Sequence, residues 1–224
     1  KRHLLSFTLL LSICSFGQDE FDFDSDFEFD SEPPITFNST RVISGHSVEV
    51  LPEKTFEMRI EHRFGDIAGS NGGVQTMFGF DNVTDMRIAL EYGLTEKLMF
   101  GFGRCKGTGV PYRSLLDGFV KYRLFEQVKD SILLSCTILG GATFTYQKAS
   151  SDISSVNHFP RTTHRFAYFS QLNIARRFGK FLSISLMPTL VHRNYVADND
   201  INTLVTLGGA LRIKLSKKFF LLTE

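Results

Sequence analysis

With 224 residues, 42 % of them hydrophobic, a formal net charge of +1 and a mean hydropathy of −0.03, the chain has the size of one domain. No stretch is long and apolar enough for a transmembrane helix, and no basic stripe interleaves with aromatics, so a helical membrane protein and a nucleic-acid binder are both disfavoured. A barrel of strands is not, because alternating faces dilute the hydropathy signal, and 23 Phe without Trp suit strands with a lipid-facing band.

The chain opens with Lys1, Arg2 and His3, a basic start, followed by an apolar core from Leu4 to Cys14. Ser15 and Gly17 supply small residues just before Gln18, so residues 1–17 are expected to be a signal peptide that exports the chain. Lipidation at Cys14 is disfavoured, because bulky Ile13 stands where a small residue is needed.

From Asp19 to Glu32 come eight acids, Asp19, Glu20, Asp22, Asp24, Asp26, Glu28, Asp30 and Glu32, with no Lys or Arg, and then Pro33 and Pro34. Such charge density repels itself and resists packing, so 18–34 are expected to form a disordered acidic tail in the periplasm. An arm that docks on a cation, a basic periplasmic partner or the barrel itself is the alternative. The chain has 25 Lys and Arg and 24 Asp and Glu; without Lys1, Arg2 and the eight tail acids, 23 face 16, or +7 from Ile35 onward. Lys97, Lys129, Lys180, Lys217 and Lys218 fall in or beside short turns, and the tail is expected to lie against that rim.

Residues 35–224 are expected to be the barrel. The clearest strand is Thr55 to Phe64, where Phe56, Met58, Ile60 and Phe64 share one face and Glu57, Arg59, Glu61 and Arg63 the other. An oily face and an ionised face suit lipid on one side and a wet or ion-paired interior on the other. The same period of two predicts strands at Thr84 to Tyr92, Lys97 to Cys105, Ser114 to Leu124, Ser131 to Tyr146 and His164 to Arg177. Leu182 to Leu190 and Val205 to Leu215 supply two more, and Lys218 to Glu224 begins a ninth.

The links between these strands alternate in length. Residues 65–83, 106–113, 147–163 and 196–202 are long and polar or glycine-rich; 93–96, 125–130, 178–180 and 216–217 are tight. Long loops outside and short turns inside characterise an outer-membrane barrel, and a soluble sandwich has no reason to sort its loops this way. Phe64, Tyr92, Phe125, Tyr146, Phe178 and Tyr195 sit near strand ends, as an aromatic girdle requires. The fold class expected is all-β, an antiparallel up-and-down transmembrane β-barrel. Nine strands is an odd number for a single-chain barrel, so further strands are expected beyond Glu224.

Lumen positions of the first, second and fourth strands carry Glu57, Glu61, Asp85, Glu91 and Asp117 together with Arg59, Arg63, Arg87, Lys121 and Arg123. Five acids against five bases predict an ion-paired, structurally filled interior, since a charge-selective pore would be biased to one sign. No two histidines stand at metal-ligand spacing; His46, His158 and His164 are expected in loops or at strand ends, while His62 and His192 share parity with apolar residues. Cys105 and Cys136 follow opposite parities, which argues against a disulfide. The run from Gly65 to Gly73 looks superficially like a phosphate loop but lacks the Lys-Ser/Thr that would neutralise phosphate. No nucleophile elbow marks a lipid hydrolase, so no catalytic, metal or cofactor site is expected.

The stretches Thr40 to Glu49 and Met58 to Gly65 resemble a Bacteroidota outer-membrane β-barrel family known only as a domain of unknown function, and Phe80 to Asn82, Arg87 to Gly93, Gly101 to Arg104 and Tyr112 to Arg123 fit its pattern. The resemblance runs from about Thr40 to the end and implies architecture and an outer-membrane location, with no activity to carry over. The expected role is a structural barrel or narrow channel in contact with outer-membrane lipids. A carrier of a lipid or other hydrophobic ligand stands second and a lipid hydrolase third.

Overall fold

A computed structural model describes residues 35–224 apart from 108, 110–112, 129–130, 198 and 217–218. The expected signal peptide and acidic tail, residues 1–34, lie outside the described residues. The strands are β1 (Phe56–Phe64), β2 (Val83–Thr95), β3 (Leu98–Lys106), β4 (Ser114–Phe125), β5 (Ser135–Thr145), β6 (Phe166–Phe178), β7 (Leu182–Arg193), β8 (Thr203–Lys214) and β9 (Phe220–Thr223). They form one antiparallel up-and-down sheet in chain order, and among the described residues β1 and β9 do not pair with each other, so the sheet is open along those two edges.

Each strand appears where its alternation predicts. Strands β5 and β6 begin well inside their expected spans. Ser131 to Leu134 precede β5, because Val128 and Ile132 bond each other across a small turn. His164 belongs to a short 3-10 turn, Thr162–Arg165, ahead of β6. Links 65–82, 107–113, 146–165 and 194–202 lie at one end of the sheet, called the long-link end, and 96–97, 126–134, 179–181 and 215–219 at the other. The β4–β5 link, expected to be tight over 125–130, is longer than the β3–β4 link because β5 begins only at Ser135. Phe64, Tyr146 and Tyr195 stand at the long-link end, and Tyr92, Phe125 and Phe178 at the short-link end.

Register separates two surfaces. One rung runs Phe56, Tyr92, Phe100, Val120, Gly140, Ser170, Leu190, Val205, and its large apolar members other than Tyr92 are exposed. The neighbouring rung runs Glu57, Glu91, Gly101, Phe119, Gly141, Phe169, Val191, Leu204, and there Glu91 and Phe119 are buried. A sheet with oily side chains facing out and its polar and small residues covered inside inverts the pattern of a water-soluble domain. No helix is long and apolar enough to cross a membrane, which says nothing of crossing by strands.

The sheet is rolled. A flat sheet would set β2 and the end of β9 about 34 Å apart at the usual strand spacing of about 4.8 Å. Yet Arg41 reaches Glu91 on β2 at 3.0 Å, and Gly45, four residues on, donates to the Glu224 carboxylate just past β9 at 3.0 Å. Four residues span at most about 14 Å. The strands therefore curve around one segment of chain.

Candidate functional site: a segment seated inside the sheet

That segment is the stretch from Ile35 to Thr55, upstream of β1. It organises itself first. Arg41 and His46 form a bridge, with Val42 N–H donating to Gly45 O (2.9 Å) and Ser47 N–H to Thr40 O (3.0 Å). The Glu49 carboxylate accepts from the Thr36 and Phe37 amides at 2.9 and 3.0 Å, folding the start of the segment onto its middle. At its end, Lys54 takes φ 60° and Thr55 N–H donates to Pro52 O, a turn that feeds the chain into β1.

Its apolar residues then pack on the inner face in two groups. Phe37, Val42 and Val48 meet Ala175, Met187 and Ala210 on β6, β7 and β8, with Leu222 alongside. Val50 and Leu51 meet Met99, Phe119 and Leu139 on β3, β4 and β5. All of these except Leu222 are buried, and burying side chains of the size of Phe37 or Leu51 stabilises by about 1.5–3 kcal/mol each.

Polar anchors reach it from several strands. Asn173 on β6 bridges Ser47 O and the Thr137 hydroxyl on β5, both at 3.1 Å. Arg212 on β8 donates to Thr36 O (3.2 Å), and Arg177 on β6 to Ile35 O (3.2 Å). Lys121, with no exposed surface, donates through Nζ to the carbonyls of Thr40 and Glu49. The Glu224 carboxylate accepts from the amides of Ile43, Ser44 and Gly45.

The ten charged residues picked out by parity divide into three sets. Arg87 is the hub of the first: it pairs with Asp117 on β4 through two nitrogens and with Glu61 on β1 at 3.0 Å. Glu57 and Arg59 pair within β1, and Arg59 also donates to the Ser39 and Thr40 hydroxyls. The second set turns to the inner segment. Glu91, opposite Glu57 in register, is neutralised by Arg41 at 3.0 Å, with Arg59 and Arg87 at 3.9 and 4.0 Å. Lys121 holds carbonyls instead of an acid, and Arg123 lies 3.8 Å from Glu49 and 2.9 Å from Glu126. Arg63 and Asp85 make the third, opposite each other in register with no ion pair within 4.0 Å among the described residues.

His46, expected in a loop, is buried inside, edge-on to the Phe119 ring at 4.6 Å. Burial and the positive charge of Arg41 hold its imidazole well below the usual histidine range. Cys105 and Cys136 are free and lie on opposite registers. Among the described residues no three His, Cys, Asp or Glu side chains are grouped to hold a metal ion.

Parity along strands could not find this segment, which lacks a strand's period. A signal was nonetheless present. Inner positions are rich in small residues, Ala89, Gly93, Gly101, Gly103, Gly141, Ala167, Ala175 and Ala210. A face kept free of bulk leaves room for something to lie against it.

Residues 37–224 match the model of a family described as a membrane bound beta barrel domain (DUF5777). No curated protein and no solved structure matches the chain.

Proposed function

Since the chain belongs to this family of membrane-bound β-barrel domains, we propose that it is a structural barrel of the outer membrane whose passage is stopped by its own segment 35–55, with no catalytic role. The observation that carries this reading is the segment's seat: it touches inner residues from β2 to β8 and the carboxylate of Glu224. Of the interior charges that would line a channel, Glu91, Lys121, Arg59 and Arg123 are engaged by that segment. A narrow conducting path arises only when the segment leaves.

Planar-bilayer recording tests this. The intact chain is expected to be silent, and a variant lacking residues 36–51 to show stepwise conductance. Steady openings from the intact chain, or silence from the shortened one after correct insertion, would refute it.

The acidic tail belongs to the same reading. Ile35 O is held by Arg177 at the end of β6, beside the Gly179 turn, so the inner segment starts at the short-link rim, next in sequence to residues 18–34. Their eight acids face a barrel of formal charge +7 (23 basic against 16 acidic residues from Ile35 onward), and the tail rests on that rim by Coulomb attraction. A nitroxide on Ser25→Cys, with Cys105 and Cys136 replaced by alanine, is expected to gain mobility between low and high salt. Equal mobility at both would show that the tail does not dock.

A further inference from the structure

The link between β1 and β2 displays exposed apolar side chains on a backbone closed by its own hydrogen bonds. From Ile67 to Phe80 it carries no charged residue. Val74 is 82 % exposed, Met77 64 %, Phe78 51 % and Phe80 61 %. Met77 and Phe78 adopt consecutive left-handed conformations, φ 47° and 55°, which bulky residues rarely take. The loop is nonetheless closed by its own bonds: Phe78 N–H to Gly73 O (2.8 Å), Gly65 N–H to Gly79 O (3.1 Å) and the Thr76 hydroxyl to Gly73 O (3.1 Å). A backbone held in this way to display apolar side chains has something apolar to meet.

Position says what that is. Phe80 packs on Phe64, ring centroids 5.1 Å apart, and Phe64 ends β1 in step with Phe56, Met58 and Ile60 of the exposed oily face. The loop's apolar tip thus continues the outer surface of the sheet at its long-link end. We propose that the β1–β2 loop is a membrane-interface anchor, with Met77, Phe78 and Phe80 inserted into the outer leaflet at headgroup depth. The anchor rests on the proposal that the outer face of the strands meets lipid. Barrels gather aromatic residues at that depth, and a stretch without charge between Asp66 and Asp81 inserts through apolar burial.

The absence of Trp makes the test direct, since one introduced indole reports alone. Full-length Phe78→Trp and Phe102→Trp chains are placed in phosphatidylcholine vesicles with bromines either near the headgroups or near the chain ends. Phe102 lies mid-strand on β3 and is 56 % exposed on the outer face. Phe78→Trp is expected to emit blue-shifted light that shallow bromines quench more than deep ones; Phe102→Trp is expected to show the reverse order. Phe80→Trp supplies the same reading as Phe78→Trp should the latter fail to insert. Quenching at Phe102→Trp with a red, iodide-accessible emission at Phe78→Trp would overturn the anchor alone. Blue emission at Phe78→Trp that no bromine quenches would also overturn it, placing the loop against protein. No quenching at Phe102→Trp would remove the lipid-facing reading and the anchor with it.

Discussion

Glu91→Ala is expected to destabilise the protein by about 3–5 kcal/mol, the cost of leaving buried charge without its counterion. Glu91 has no exposed surface and three guanidiniums converge on it, Arg41 at 3.0 Å, Arg59 at 3.9 Å and Arg87 at 4.0 Å. Arg59 and Arg87 keep other acids, Glu57, Glu61 and Asp117. Arg41 does not fare as well: its remaining acid is Glu61 at 3.8 Å, and its own side chain is only 8 % exposed. Because Arg41 belongs to the inner segment, the loss loosens that segment from β2 first. Glu91→Gln keeps an acceptor for Arg41 and Thr40 while deleting the charge, so its effect is expected to fall between wild type and alanine. Urea unfolding in lipid, paired with protease cleavage between Ile35 and Thr55, measures both. A change below about 1 kcal/mol for the alanine variant, within the range of ordinary substitutions, would show that Glu91 is not the counterion of this cluster.

Gly93→Val is expected to cost about 3 kcal/mol, from overpacking and the loss of hydrogen bonds. A Cβ at Gly93 would stand 2.0 Å from the Pro52 carbonyl oxygen and 2.7 Å from that of Leu51, both backbone atoms that no rotamer change can move. Gly93 also donates to Thr55 O (2.9 Å) and accepts from Lys54 N–H (2.8 Å), tying β2 to the turn that leads out of the interior. Pushing that turn away breaks both bonds and draws Leu51 and Val50 off Met99 and Phe119. Gly140 is the control. It lies on the oily face, a Cβ there meets open space, and Gly140→Ala is expected to stay within about 0.5 kcal/mol of wild type. Faster hydrogen exchange at the amides of positions 54 and 93 in Gly93→Val, with no such change in Gly140→Ala, is the matching local signature. Equal unfolding midpoints for the two variants would contradict the close approach.

Much of the fold is legible without coordinates because it is written at a period of two. Phe56, Met58 and Ile60 against Glu57, Arg59 and Glu61 announce both a strand and which side faces out, and the rule holds for each strand through β8. Boundaries fail where a turn is apolar: Ile132, Leu133 and Leu134 read as strand, yet their neighbourhood is closed by the Val128–Ile132 bridge. Ion-pair partners are less legible. Lys121 shares its face with Asp117 and Arg123 by parity, but its ammonium reaches the carbonyls of Thr40 and Glu49, more than seventy positions away.

From its sequence alone the chain determines the order of its strands and their two faces, because each follows from local alternation and from adjacent antiparallel pairing. What occupies the interior is decided only in three dimensions. Arg41 meets Glu91, Asn173 meets Ser47 and Gly45 meets Glu224, contacts between positions far apart in the chain that appear once the sheet rolls. A segment without period carries no local mark of the surface that will cover it; its place is set by the small residues, carbonyl-seeking cations and buried acid that the rolled sheet brings together around it.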